Sequence, residues 1–548
     1  MTTTSDATAT LDGMLAAHAA DRPGDPALVL PTPVLSLLGP ATRTVSFGAL
    51  QRRVEAAAAG LLAAGVGPGT RTALLVPPTA DFFVLAYALL RVRAVPVVVD
   101  PGIGLDRVRS CLGEVAPEAF VGVAKAHVAR RVLGWCPSAW IAVTAGPVPV
   151  PGTTWLRRLE REGARLVAHR PQAPSARRDG TPAAILFTSG STGPPKGVEH
   201  HEDGLLAQAG LVRDLYGLGP GDVSLATFPP FALFGPALGM TTVVPRMDPT
   251  RPGKVVPSRL VAAARRTAAT VMFGSPAVLD RLGRGAPAGT HLPALRQVIS
   301  AGAPVPRDTQ RRVLALLGPD AQVHTPYGAT EALPVASIGS DELLALPEDG
   351  ICVGRPVPGV DVALMRVADG AVDALTPDRR VAPGEVGEVV VRGPVVSPAY
   401  ADRPDATAAA KVTWDGVLAH RTGDLASTDD EGRLWFAGRV AHVVHTAAGP
   451  LYSVPCEEIL NRHPAVRRTA LVGVGPHADR TPVAVVEMLG GARLTAEVAE
   501  ELRALAAADA RTRTITTFLE HRSLPVDPRH NSKIDREALG HWAARELA

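Results

Sequence analysis

The stretch Thr188-Ser189-Gly190-Ser191-Thr192-Gly193-Pro194-Pro195-Lys196-Gly197-Val198 directly follows an apolar run, Ala183-Ala184-Ile185-Leu186-Phe187. The run reads as a buried strand. Hydroxyls, glycines and one lysine are packed straight behind it. Glycine lets the backbone approach a ligand closely, and successive amides form a nest for anions. Serine and threonine add donors, and lysine adds a point charge. These residue types together suit a polyphosphate. The spacing is not that of the common P-loop, in which a hydroxyl residue follows the lysine and holds the metal. Here Pro195 precedes Lys196 and Gly197 follows it, so a metal ligand has to come from elsewhere in the chain. The competing reading, an ordinary Gly/Ser-rich surface turn, fits poorly with so dense a run.

Upstream, strands and helices alternate. Helices are expected at residues 11–20, 47–64, 81–90, 105–114 and 127–133, with strands at 72–76, 94–99, 119–123 and 139–143. This alternation implies right-handed βαβ units and a parallel sheet. Residues 1–10 read as disordered, and 145–182, rich in Pro, Gly and Arg, as a surface connection. Downstream the pattern resumes: a helix at 204–216, a strand at 223–226, and strands at 271–273 and 297–300 flanking a helix at 277–282. Residues 229–235 read as an apolar loop leading into an Ala/Gly/Met helix. From about residue 350, period-two alternation such as Glu385-Val386-Gly387-Glu388-Val389-Val390-Val391 indicates a β-rich subdomain, 350–437. A boundary is expected near Gly438-Arg439, dividing the chain into an N-terminal domain, 1–437, and a small C-terminal domain, 438–548.

A chain of 548 residues needs more than one core. Lysine and arginine number 56 against 53 acidic residues, and aromatics are 4%, so no nucleic-acid footprint is visible. Four scattered cysteines, Cys111, Cys136, Cys352 and Cys456, form no CxxC pair. This argues against a disulfide scaffold or zinc site and fits a reducing cytoplasm. No signal peptide is visible in residues 1–12, and the apolar window at 82–99 is broken by Arg91, Arg93 and Pro96.

Once a nucleotide is suspected, other stretches gain meaning. Tyr327-Gly328-Ala329-Thr330-Glu331 sets an aromatic and a carboxylate around a glycine turn. Tyr327 suits a purine, and Glu331 suits the magnesium that the phosphate loop cannot hold; a buried Tyr and a surface Glu is the alternative. Asp424, in Arg421-Thr422-Gly423-Asp424, suits a ribose diol, or merely occupies a β-turn. Arg439 could add a sugar or phosphate contact. Lys533, in Asn531-Ser532-Lys533-Ile534-Asp535-Arg536, is a cation on an exposed turn, or merely a solvated lysine.

In this order the motifs resemble the adenylate-forming superfamily of acyl-CoA synthetases, luciferases and adenylation domains, over nearly the whole chain. The resemblance implies an α/β fold: a large domain of stacked parallel-sheet αβ layers with a β-rich subdomain, then a small mobile α+β lid. It implies Mg·ATP as cosubstrate and acyl-AMP as intermediate. Thr188, Ser189, Gly190, Ser191, Thr192, Gly193 and Lys196 would hold the phosphates. Ala301, Gly302, Ala303, Tyr327 and Gly328 would hold adenine, and Asp424 and Arg439 the ribose. Thr330 would contact the α-phosphate, Glu331 would bind magnesium, and Lys533 would stabilise the carboxylate and α-phosphate.

Departures narrow the acceptor. The family's Asp or Lys at the hinge is replaced by Ala441, followed by His442, which puts transfer to coenzyme A in doubt. The loop at 228–239 has no acid for an amino-acid amine; Ala232 stands where acyl-activating relatives often have His. Phe231, Phe234, Gly235 and Gly274 are expected to line an uncharged acyl pocket. Val97 to Gly104, Cys111 to Gly122, Lys125-Ala126-His127 and Gly134-Trp135 resemble the β-lactone synthetases of bacterial olefin and β-lactone pathways. That resemblance implies a 2-alkyl-3-hydroxy fatty acid as small-molecule substrate, ring closure by its own hydroxyl, and assembly with other enzymes of the pathway. His200, His201 and His442 are candidate bases. A long-chain acyl-CoA or acyl-AMP ligase, and a non-catalytic ligand-binding member, are the alternatives.

Overall fold

The computed structural model describes residues 10–32, 42–169, 175, 180–188, 194–526 and 534–548. The backbone divides into two compact units: residues 1–324, 328–334 and 394–407, and residues 325–327, 335–393 and 408–548. The expectation of disorder for the first residues lies, for 1–9, outside the described residues.

The first unit is built on two seven-stranded sheets. One runs Gln322–His324, Gln297–Ile299, Val271–Phe273, Val223–Ala226, Thr241–Val243, Pro26–Pro31, Thr42–Ser46; all its pairs are parallel except the last. The other runs Thr154–Trp155, Ile141–Ala145, Ala119–Val123, Arg71–Leu75, Val95–Val98, Ala184–Phe187, Gly197–His200, again parallel up to the final antiparallel pair. Strands such as Val271–Phe273 are buried along their whole length, as parallel strands covered on both faces must be. Helix Phe47–Ala63 starts at Ser46, whose Oγ accepts from the Ala49 amide at 3.3 Å, and ends before Gly65 at φ +91°.

Two expectations need correction. Residues 145–182 are not only a connection: they contain strand Thr154–Trp155 and the fourteen-residue helix Leu156–His169. That helix buries Leu156, Leu159 and Gly163 against Phe47–Ala63. A Cβ on Gly163 would strike the Ala56 carbonyl and come within 2.8 Å of the Gly60 amide. The two helices thus cross where neither has a side chain. The apolar loop at 229–235 is instead two helical turns, Pro229–Ala232 and Phe234–Ala237, and no Ala/Gly/Met helix follows; the chain goes into strand Thr241–Val243. Gly239, at φ +76°, ends the second turn.

The second unit carries an antiparallel sheet in the order Ile351–Pro356, Leu434–Arg439, Val417–Thr428, Gly387–Arg392, Asp361–Met365. Within it the buried Arg421 guanidinium pairs with Glu388 at 2.8 Å. Its C-terminal part is a three-stranded sheet, Val466–Val474, Thr481–Met488 and Thr517–Glu520, with helices Ser453–Leu460, Ala496–Ala507 and Arg536–Glu546. All four cysteines are free and buried. Burial pushes the thiols of Cys111, Cys136 and Cys456 up to about 12.

Candidate active site

In open parallel sheets ligands lie beyond the carboxyl ends of the strands. In the first unit those ends carry the expected adenine segment and acyl-pocket residues. Strand Gln297–Ile299 runs into Ser300-Ala301-Gly302-Ala303, where Gly302 has φ +97° and the Ser300 amide donates to the His324 carbonyl at 2.9 Å. Strand Val271–Phe273 runs into Gly274, and Val223–Ala226 into the helical turns bearing Phe231 and Phe234. Phe231 stacks on Phe273 at 4.0 Å between centroids, and Phe234 meets Phe231 edge-on at 6.0 Å. These rings form an aromatic wall without a charge. Gly235 and Gly274 answer packing demands: a Cβ would meet Thr242 Oγ1 at the first and Leu279 Cδ1, at 2.8 Å, at the second.

Strand Ala184–Phe187 leads into Thr188, and Lys196 leads into strand Gly197–His200. Ala184–Phe187 pairs antiparallel with Gly197–His200. The Thr188 amide donates to the Lys196 carbonyl at 3.0 Å, and the Lys196 amide donates back to Thr188 Oγ1 at 3.2 Å. Thr188 and Lys196 therefore close the neck of the loop. Ser189, Gly190, Ser191, Thr192 and Gly193 lie outside the described residues, as does Lys533.

Thr330 and Glu331 occupy the turn between strands Tyr327–Ala329 and Ala332–Ser337. Gly328 is required there, because a Cβ would come within 2.5 Å of the Ala332 carbonyl. Glu331 Oε1 accepts from the Tyr400 hydroxyl at 2.7 Å, and Lys196 Nζ lies 4.8 Å from the centre of the same ring. The structure thus joins Lys196 and Glu331 through Tyr400.

The second unit brings Tyr327, Asp424 and Arg439 together. The Tyr327 hydroxyl donates to Asp424 Oδ2 at 3.0 Å, and Arg439 Nε lies 2.9 Å from Asp424 Oδ1. Asp424 and Arg439 face each other across paired strands. The turn before Asp424 uses Gly423 at φ +70°, and the Asp424 amide donates to Thr422 Oγ1 at 3.1 Å. Burial, with the Asp424 charge beside it, pushes the Tyr327 hydroxyl well above its ordinary range. It stays a neutral donor. If Asp424 holds a ribose diol, replacing it by alanine raises the KM for ATP about tenfold or more, the scale of a lost charge-assisted bond. Steady-state kinetics at saturating acid checks this.

Among the candidate bases, His200 is buried at the end of its strand and His201 begins helix Glu202–Tyr216. Burial, with the charges of Arg536 and Arg439 nearby, lowers the His442 imidazole from 6.5 to about 4. It is neutral at pH 7. The unfolded chain takes up this proton near 6.5 and the folded chain only near 4, so stability is fully present above that window and is lost as the pH falls through it. His442→Gln is expected to lose less stability than the parent across the same window, as measured by denaturant midpoints. His127, by contrast, is a core residue: its Nε2 is 3.1 Å from the Val143 carbonyl and its ring packs on Phe120. Trp135 is likewise buried.

No group of three or more His, Cys, Asp or Glu among the described residues could hold a metal by itself. A single carboxylate such as Glu331 still fits magnesium, which takes most of its ligands from water and substrate phosphates.

A family model of AMP-binding enzymes matches residues 15–401. The chain is 47% identical over 515 residues to the olefin beta-lactone synthetase of Xanthomonas campestris, covering 92% of this chain and 91% of that one. It is 46% identical over 516 residues to the olefin beta-lactone synthetase of Stenotrophomonas maltophilia, covering 92% of each. An amide bond synthetase from Marinactinospora thermotolerans superposes with a TM-score of 0.77 over 97% of this chain and 99% of that one, at 24% identity, a likeness of fold. By its matched motifs, its fold and these relatives, the chain belongs to the AMP-binding enzymes, the adenylate-forming ligases.

Proposed function

We propose that the chain is a β-lactone synthetase that acts on a 2-alkyl-3-hydroxy fatty acid. The observation that carries the reading is the near full-length identity of 46–47% to two olefin beta-lactone synthetases. In the first step a carboxylate oxygen attacks the α-phosphorus of ATP, and pyrophosphate leaves. In the second, the 3-hydroxyl oxygen attacks the acyl carbon and gives up its proton; AMP leaves and the four-membered ring closes. The nucleophile is already tethered, so effective molarity replaces a second substrate. This agrees with the altered hinge at Ala441 and with an acyl wall free of charge.

The roles in this reading are those that the family resemblance implies. Lys196 and the loop closed by Thr188 hold the β- and γ-phosphates, and Thr330 contacts the α-phosphate. Asp424 and Arg439 hold the ribose, while Tyr327, Gly328 and Ala301 to Ala303 hold adenine. Glu331 would hold magnesium, which would supply neutralisation of phosphate charge. Lys533 carries the cation at the reacting carboxylate. The segment 438–442 is the hinge of a C-terminal lid, 438–548. Four free cysteines support a cytoplasmic setting, and no described helix is long and apolar enough to cross a membrane. The other enzymes of an olefin or β-lactone pathway are the partners this reading supplies.

The test is incubation with Mg·ATP and a 2-alkyl-3-hydroxy acid without coenzyme A. AMP and a β-lactone, seen by NMR, are the expected products. Turnover that requires coenzyme A would make the protein an acyl-CoA ligase instead.

A further inference from the structure

Lys196 and Glu331 carry opposite charges within one unit, and each of them meets Tyr400. Tyr400 stands between. Its ring takes the ammonium at 4.8 Å and its hydroxyl takes Glu331 Oε1 at 2.7 Å. Its own position is fixed by the backbone. The Glu199 amide donates to the Ala399 carbonyl at 3.0 Å, and the Ala401 amide donates to the Gly197 carbonyl at 2.8 Å. Residues 399–401 are thereby laced to the strand that leaves the phosphate loop. The Tyr400 amide donates to Thr407 Oγ1 at 3.0 Å, and the Ser397 amide donates to the Glu331 carbonyl at 2.8 Å. The same short segment is thus tied to the loop at one end and to the Glu331 turn at the other. Tyr400 is only 6% exposed.

We infer that Tyr400 is a positioning residue that keeps Lys196 and Glu331 apart, so that the ammonium remains available to ATP phosphate and the carboxylate to magnesium. The inference rests on the proposed roles of those two residues. A direct ion pair would satisfy both charges with each other, and breaking it would oppose every binding event. A ring face and a single hydroxyl give each charge a partner that is easily exchanged. One Glu331 oxygen is engaged by Tyr400, which orients the other, as outer partners of metal ligands do.

The readout is nucleotide binding by calorimetry, which does not depend on the acid. For each variant the affinity for Mg·ATP is divided by the affinity for ATP in chelator. Tyr400→Leu is expected to lower this ratio about tenfold, within the range for lost outer partners of a metal ligand. Adding Lys196→Met to Tyr400→Leu is expected to raise the ratio again to that of Tyr400→Phe, because the trapped carboxylate is released while the hydroxyl partner stays lost; ATP affinity falls overall. Tyr400→Phe keeps the ring, so its metal-free affinity stays at the parent value while its ratio falls. A ratio unchanged in both single variants overturns the inference, as does a double variant no better than Tyr400→Leu. Glu331→Gln in the parent separates the two levels: if it leaves the ratio unchanged, the assignment of Glu331 to the metal is what fails.

Discussion

Glu331→Gln is expected to slow acyl-adenylate formation on the order of a hundred- to a thousandfold, the scale of losing one preorganised electrostatic contact to the reacting charge. The substitution is nearly isosteric. The amide oxygen can still accept from the Tyr400 hydroxyl, which now bonds Glu331 Oε1 at 2.7 Å. The turn and its neighbours should therefore survive, and the lost quantity is the negative charge itself. If Glu331 holds the magnesium, no described cluster of acids could replace its charge there. Acid-dependent exchange of pyrophosphate into ATP, titrated with magnesium, measures the effect. The variant should need more magnesium for its residual rate; parent-like exchange with a parent-like magnesium requirement would remove Glu331 from the metal site.

Gly163→Val is expected to destabilise the first unit by about 3 kcal/mol or more, the scale of forced overpacking in a closed contact. The cause is backbone on backbone. A side chain at 163 would run into the Ala56 carbonyl and the Gly60 amide of helix Phe47–Ala63, and a side chain at Gly60 would meet Leu159 in return. Relief requires the helices to part, which uncovers Leu156 and Leu159, each about 1% exposed. Glycine inside a helix costs about 1 kcal/mol relative to alanine, so two of them at one crossing point to close approach. Arg165→Val, on the exposed side of the same helix, should stay within about 0.5 kcal/mol. Denaturant titration of both variants distinguishes a crossing effect from a change in helix propensity.

That helix also shows where sequence reading stops. Thr188, Glu331 and Asp424 were legible because each is announced by its own neighbours: a strand, a glycine that the turn demands, a run of hydroxyls. Leu156, Leu159 and Gly163 carry helical spacing too, but Pro, Gly and Arg on both sides obscure it, and the helix is stabilised by a partner far back in the chain. The contacts of Tyr400 with Lys196 and Glu331 were illegible for a similar reason: they arise only when residues 399–401 join the strand Gly197–His200. The aromatic wall likewise needed Phe273 from a separate strand to stack on Phe231. Short-range backbone demands are written in short motifs; long-range pairings are not.

The buried cysteines have a practical corollary. A thiol reacts as its thiolate, and burial holds Cys111, Cys136 and Cys456 near 12, with Cys352 raised as well. At neutral pH the native chain offers maleimides and spin labels almost nothing to attack. A single cysteine placed on an exposed position such as Arg165 can then be tagged in the otherwise unaltered chain.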